Sequence, residues 1–261
     1  VQLYFTDHEL EQAATELGWA GEVKGPAGDY LMVVTSNIGG GKTDAIVSED
    51  IDMTVDISDS GEITNTVKIT RTHHGIDNEL FTGVNNVDYV RLYVPRNSQL
   101  ISAGEFEMPE PELFDRPQPY YEEDEDLAFS IASSYTDPES GTVVSEEFGK
   151  TVFGNWIQTK PGETEEVTFV YKLPWTLQTL SQEPDIVASF KDALGWHPND
   201  EYTLFIQKQS GVINRNINVT VNVPESQEVL WSNALSENRT IKLSADETKD
   251  AFLGILLETD L

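Results

Sequence analysis

Apolar residues recur at every second position through most of this chain, the periodicity of strands with one buried face. Ile51-Asp-Met-Thr-Val-Asp-Ile57 and Ile63-Thr-Asn-Thr-Val-Lys-Ile69 alternate on either side of a turn, Ser58-Asp-Ser-Gly61, and predict a hairpin in which Asn65 interrupts the apolar register. Tyr30–Thr35 reads as a buried strand, and Asp88–Val94 as an alternating one ended by Pro95, which has no N–H for a ladder. A short strand at Ile101 follows, then Gly149–Ile157, Val167–Leu173, Glu201–Gln207, Arg215–Val223, Thr240–Leu243 and Ala251–Leu257. The cleanest alternation is Arg215–Val223, with valine and isoleucine on one side and asparagine and threonine on the other.

Helical periodicity is confined to two places. Thr6 and Glu9 have capping-box spacing, Leu10, Ala13, Ala14 and Leu17 share a helical face, and Gly18 stands at the C-cap position. Pro184 to Gly195 predicts a second short helix. Eight or nine strands with so few helices predict an all-β fold, an antiparallel, immunoglobulin-like β-sandwich with a small N-terminal α/β segment and a long acidic loop. The expected division is a segment 1–36, which completes or packs on an upstream domain or packs on the sandwich, and a sandwich domain 37–261. Because Val1–Phe5 is already strand-like, further chain is expected before it.

Charge narrows the partners. The 46 acidic and 16 basic residues give a formal net charge of −30, a field that repels nucleic acid and anionic lipid headgroups. Between residues 105 and 147 acidic residues and prolines are dense, with an unbroken run Glu122–Asp126, and that span predicts an extended excursion rather than a core element. There is no cysteine, which excludes disulfides and thiolate chemistry, and no apolar run near the ~20 residues a membrane span needs. Direct membrane insertion of these residues is therefore not expected.

Several segments carry a resemblance when taken in order: Asn37–Asp44, Asn85–Pro95, Gly149–Trp156, Pro161-Gly162, Tyr171–Pro174 and Gln207–Gly211. Together they resemble the C-terminal half of the domain-of-unknown-function family 4012, a group of bacterial envelope proteins, over roughly residues 1 to 223. The resemblance implies an extracytoplasmic, cell-surface location beyond an anchor upstream. It implies no catalytic residue.

Gly41-Lys42-Thr43 looks like the end of a phosphate-binding loop, but Ser36 stands where that loop needs its first glycine and strands follow where it needs a helix. His73 and His74 point to opposite sides of an extended chain, so a shared metal with Asp77 and Glu79 would need a turn, and a solvated loop explains them as well. Calcium is the candidate cofactor. Asp56–Gly61 lacks the twelfth-position acid of an EF-hand, Val67 standing there, whereas Asp77, Asn78, Asn85, Asn86 and Asp88 could gather oxygen ligands between two strand ends. The run Glu122–Asp126 is a looser alternative, and a solvated charged face explains both. No spacing selects a catalytic acid–base pair or a serine nucleophile. Trp175 and Trp196 are candidates for glycan contact, while Trp156, beside Phe153, reads as core. Asn218 and Asn238 each open a glycosylation acceptor triplet.

These readings converge on a non-enzymatic extracytoplasmic module with a structural, adhesive or assembly role. Its partners would be an upstream domain of the same protein, further copies of itself or cell-wall glycan. The alternative is an accessory, glycan-contacting domain of an envelope glycopolymer enzyme whose active site is not in this chain.

Overall fold

A computed structural model describes residues 3–38, 41–114, 118–122, 124–177, 200–246 and 249–259. The alternating segments form strands β1 (Asp29–Asn37), β2 (Val47–Ile57), β3 (Glu62–His73), β4 (Asn86–Pro95), β5 (Gln99–Gly104), β6 (Tyr135–Thr136), β7 (Val143–Glu147) and β8 (Lys150–Thr159). The series continues with β9 (Thr164–Thr176), β10 (Asp200–Ile206), β11 (Arg215–Asn222), β12 (Gln227–Ser232), β13 (Leu235–Glu237), β14 (Thr240–Asp246) and β15 (Ala251–Thr259). They make two facing sheets, of order β12-β15-β10-β1-β4-β8-β7-β6 and β13-β14-β11-β2-β3-β9-β5. The β-sandwich expected from alternation is the fold found, and side chains of one parity from both sheets make its core.

The sheets are mixed rather than purely antiparallel, because β10 runs parallel to β1 in one and β11 parallel to β2 in the other. Strands from the two ends of the chain thus lie side by side in both layers. The β2–β11 register sets Asn216 beside Asp50, Asn218 beside Asp52 and Asn222 beside Asp56. Each asparagine amide donates to its aspartate at 2.8–3.0 Å. Carboxylates on the outer face are thereby met by neutral donors instead of by one another. This pairing is what the polar half of the Arg215–Val223 alternation is for.

Four expectations change. The boundary at residue 36 falls inside β1, which lies between β4 and β10, so residues 29–37 belong to the sandwich itself. Helix α1 (His8–Glu16) is capped by Asp7, whose Oδ1 accepts from the N–H groups of Glu9 and Leu10, not by Thr6. Of its apolar face only Ala14 is buried, with Leu10 and Leu17 more than half exposed. The acidic span is not one excursion: Phe106 packs 4.8 Å from Phe169 at the core, α2 (Glu125–Ala132) interrupts it, and β7 pairs with β8. Val144, buried in β7, supplies the apolar contact that the surrounding charge masked. The helix expected at 184–195 lies outside the described residues.

Asn65, the residue that interrupts the apolar register, is fully buried and donates to Asp29 Oδ2 at 2.8 Å. Tyr202 OH donates to the same oxygen at 2.8 Å, and the Tyr30 N–H donates to Oδ1 at 2.7 Å. Asp29 on β1 and Asn65 on β3 therefore join the two sheets across the core. Burial outweighs these hydrogen bonds and raises the Asp29 carboxyl from its ordinary 3.8 to about 6. A carboxyl whose folded pKa is raised stabilises fully below its unfolded pKa, and that stability is lost as pH rises through about 6. At 1.36 kcal/mol per pKa unit the loss between pH 4 and pH 7 is on the order of 3 kcal/mol from this group. Thermal melts should accordingly give a higher midpoint at pH 5 than at pH 8, and Asp29→Asn should shrink that difference.

Candidate interaction surface

At one end of the sandwich the inward-facing positions turn from apolar to charged. Continuing the buried parity of β2 past Ile51 reaches Glu49, that of β3 past Ile69 reaches Arg71 and His73, that of β4 past Val90 reaches Asp88 and Asn86, and that of β11 past Ile217 reaches Arg215. All are buried. The Arg71 guanidinium is ion-paired to Asp88, lies 3.5 Å from Glu49, and donates to Asn86 Oδ1 at 3.2 Å. Arg215 is ion-paired to Glu49 and donates to the Val33 carbonyl at 2.9 Å. Two arginines and two carboxylates thus form a neutral buried set linking the sheets, as buried charges require. Burial raises Asp88 from 3.8 to about 6, with Arg71 opposing and Asp44 and Glu49 adding to the rise.

That set anchors two loops. Asn86 donates to Thr43 Oγ1 at 2.9 Å and to Asp44 Oδ1 at 2.8 Å, and Asn37 donates to Thr43 Oγ1 at 3.0 Å. The glycine-rich entry is therefore pinned at the buried Thr43, and a single 3₁₀ turn, Asp44–Ile46, leads into β2 where a phosphate loop would need a helix. The buried His73 ring accepts from the Gly75 N–H at Nδ1 (3.0 Å), which leaves the proton on Nε2, 3.1 Å from the Val84 carbonyl. Both ring nitrogens are satisfied within the protein. His74 points to the other side and meets Ser48 Oγ at 2.7 Å.

Between these anchors the 76–83 loop closes on itself through Asn78 N–H to Gly83 O (3.1 Å) and Gly83 N–H to Glu79 O (2.9 Å). A Cβ at position 83 would run into the Glu79 nitrogen and the Ile76 oxygen, so only glycine fits the neck. The closed loop holds Phe81 at φ 73°, left-handed backbone that costs a bulky residue on the order of 1–3 kcal/mol. Its carbonyl accepts from the Lys42 N–H at 3.2 Å, which ties the two loops together. The outcome is a tip of exposed apolar side chains: Ile76 at 72 %, Leu80 at 78 %, Phe81 at 67 %, with Ile38 at 53 % and Val84 at 47 %.

The oxygen set proposed for calcium is not brought together. Asp88 and Asn86 turn inward onto Arg71, and Asn85 donates to Gln158 at 2.9 Å. Asp77 and Asn78 bond to each other in the exposed loop. Among the described residues no group of three or more His, Asp or Glu is placed to hold a metal. Trp175 is half-buried against the core, and Trp196 lies outside the described residues. Trp156 has the opposite parity to Phe153 and so faces outward, where Tyr89 (4.8 Å) and Phe114 (5.2 Å) pack on it. Beside this aromatic group, a cavity of about 150 Å³ is lined by Tyr89, Arg91, Ile131, Ser134 and Glu147. There Glu147 accepts from Tyr93 OH at 2.7 Å and pairs with Arg91 at 3.5 Å. A second cavity, of about 370 Å³, lies between Leu3, Trp19 and Lys208. Neither is lined by the titration-shifted Asp29 or Asp88, which are spent on holding the sheets together. The tip escaped sequence reasoning because its apolar residues have no period, although the charged positions beneath it were in phase with the buried alternation.

Two expectations follow. Arg71→Ala leaves Asp88 and Glu49 buried without their shared cation and should cost about 3–5 kcal/mol in urea unfolding. Expression through a glycosylating secretory route should add a glycan at Asn238, in the exposed β13–β14 turn, and none at Asn218, whose side chain is held by Asp52 and Ser244. Peptide mass mapping checks it.

No protein-family model matches this chain, and no curated protein matches it. Among solved structures it is similar to a putative nutrient binding protein from Legionella pneumophila, at 8 % identity over 89 % of this chain and 71 % of that one, with a TM-score of 0.41. It is also similar to an M1 zinc metallopeptidase from Deinococcus radiodurans, at 10 % identity over 85 % of this chain and 45 % of that one, with a TM-score of 0.28. At these scores neither likeness bears on what this chain does.

Proposed function

We propose that this chain is a non-catalytic, extracytoplasmic cell-surface module with an adhesive or assembly role, and that it makes contact through the apolar tip. The observation that carries this reading is the tip itself. A tightly closed loop, anchored on buried ion pairs, holds Ile76, Leu80 and Phe81 in water at a cost in backbone strain. Exposed apolar groups gathered in one closed loop are candidates for a contact surface. The resemblance of the ordered motifs between residues 37 and 211 to family 4012 supports the envelope location, and the −30 charge suits a soluble surface. The second reading, an accessory glycan-contacting domain of an envelope enzyme, draws on the outward Trp156 with Tyr89 and Phe114 beside the smaller cavity.

Protease shaving of intact source cells, with the full-length protein in place, tests the first reading. The module should be cleaved from outside, and Leu80→Asn with Phe81→Asn should release it from its assembly while moving the melting midpoint by no more than about 3 °C. Protection in intact cells with digestion after lysis would defeat it. Co-pelleting with purified wall glycan that Trp156→Ala abolishes would favour the second reading.

A further inference from the structure

Resting on that reading, we infer that the tip docks into an apolar groove rimmed by basic residues on a different protein. The occupant follows from charge. The exposed ionisable groups of the two loops are Lys42 and Asp44 on one and His74, Asp77 and Glu79 on the other, with Lys160 and Glu163 in the β8–β9 turn that bonds to His73, a set in which acids outnumber lysines. The acidic strap begins at the same end: Asn85, next to Val84, donates to Gln158, and Gln158 donates in turn to the Glu107 carbonyl at 3.4 Å. Glu107, exposed, is thereby brought toward the tip on its strap side. An apolar centre with an acidic margin is complementary to an apolar groove with Lys or Arg at its rim, where the margin steers the encounter and the centre supplies the affinity.

The other occupants fit less well. A second copy would bring its own −30 charge and acidic margin against this one. An anionic bilayer would repel the same margin as the tip approached. A cationic protein groove is the surface on which apolar burial and long-range attraction act in the same direction.

The probe is a pair of 14-residue peptides of equal positive charge, one an amphipathic leucine–lysine helix and the other with serine in place of leucine. Calorimetry in 0.15 M NaCl should give binding of the amphipathic peptide about tenfold tighter or more than the serine peptide. Leu80→Asn with Phe81→Asn should abolish that preference and keep the weak, salt-sensitive binding common to both peptides. Ile76→Asn, outside the strained residue, should reduce the preference on its own, and an unchanged thermal midpoint confirms the fold of each variant. A preference that survives all three substitutions overturns the inference. So does tip-dependent binding to phosphatidylcholine vesicles, or a tip-dependent dimer in sedimentation velocity, in the absence of any peptide preference. Failure here with cleavage from intact cells still observed would remove the partner chemistry and leave the surface module standing; protection in intact cells would remove both.

Discussion

Arg71 is the cation on which this sandwich closes. It stands on one sheet, its principal partner Asp88 stands on the other, and Glu49 carries the pairing on to Arg215. Four buried charges of zero net sum are tolerable only while all four partners hold their places, because each would be strongly disfavoured alone. The spacing of the sheets at that end, the parallel seating of β11 beside β2, and the footing of two loops follow from the same few contacts. At the other side of the core, Asp29, Asn65 and Tyr202 make a second polar tie between the layers, with the apolar core between the two.

This arrangement gives the strongly shifted carboxyls a structural cause. Asp29 and Asp88 are raised to about 6 by burial, yet each is enclosed by protein groups and neither lines either of the two cavities described above. Shifted acids commonly accompany catalysis, and structural ion pairs produce the same shift. On the outer face, three aspartates of β2 are met by asparagine amides from β11. The 76–83 loop instead exposes the apolar side chains of Ile76, Leu80 and Phe81.

The exposed tip thus rests on a chain of anchors. Buried Arg71 holds Asn86, Asn86 holds Thr43 and Asp44, and these with His73 hold the necks of the loops that present Phe81. A loop of this length with no such footing would fold its apolar residues inward or sample many shapes. Preorganised presentation lowers the ordering cost of binding, which is the physical advantage the proposed contact surface would draw from the rigid ionic layer beneath it.

Alternation by itself determined the strands, the hairpin at Ser58–Gly61 and the sandwich class, because period two is a local property of an extended chain with one wet face. It also singled out Asn65, whose burial the structure then explained. It missed β7, where charge surrounds a short apolar pair, β6 and β13, with too few residues to show a period, and β12. It also put Trp156 in the core when its parity faces the other way. The five oxygen residues near the β4 entry looked like cation ligands because spacing shows proximity along the chain, not which way a side chain turns. Only the tertiary structure decided that Asp88 and Asn86 turn toward Arg71, that β10 and β11 lie parallel to strands from the other end of the chain, and that Glu49 meets Arg215 from far along the sequence. Those choices depend on neighbours brought together by folding, and no local pattern of residues encodes them.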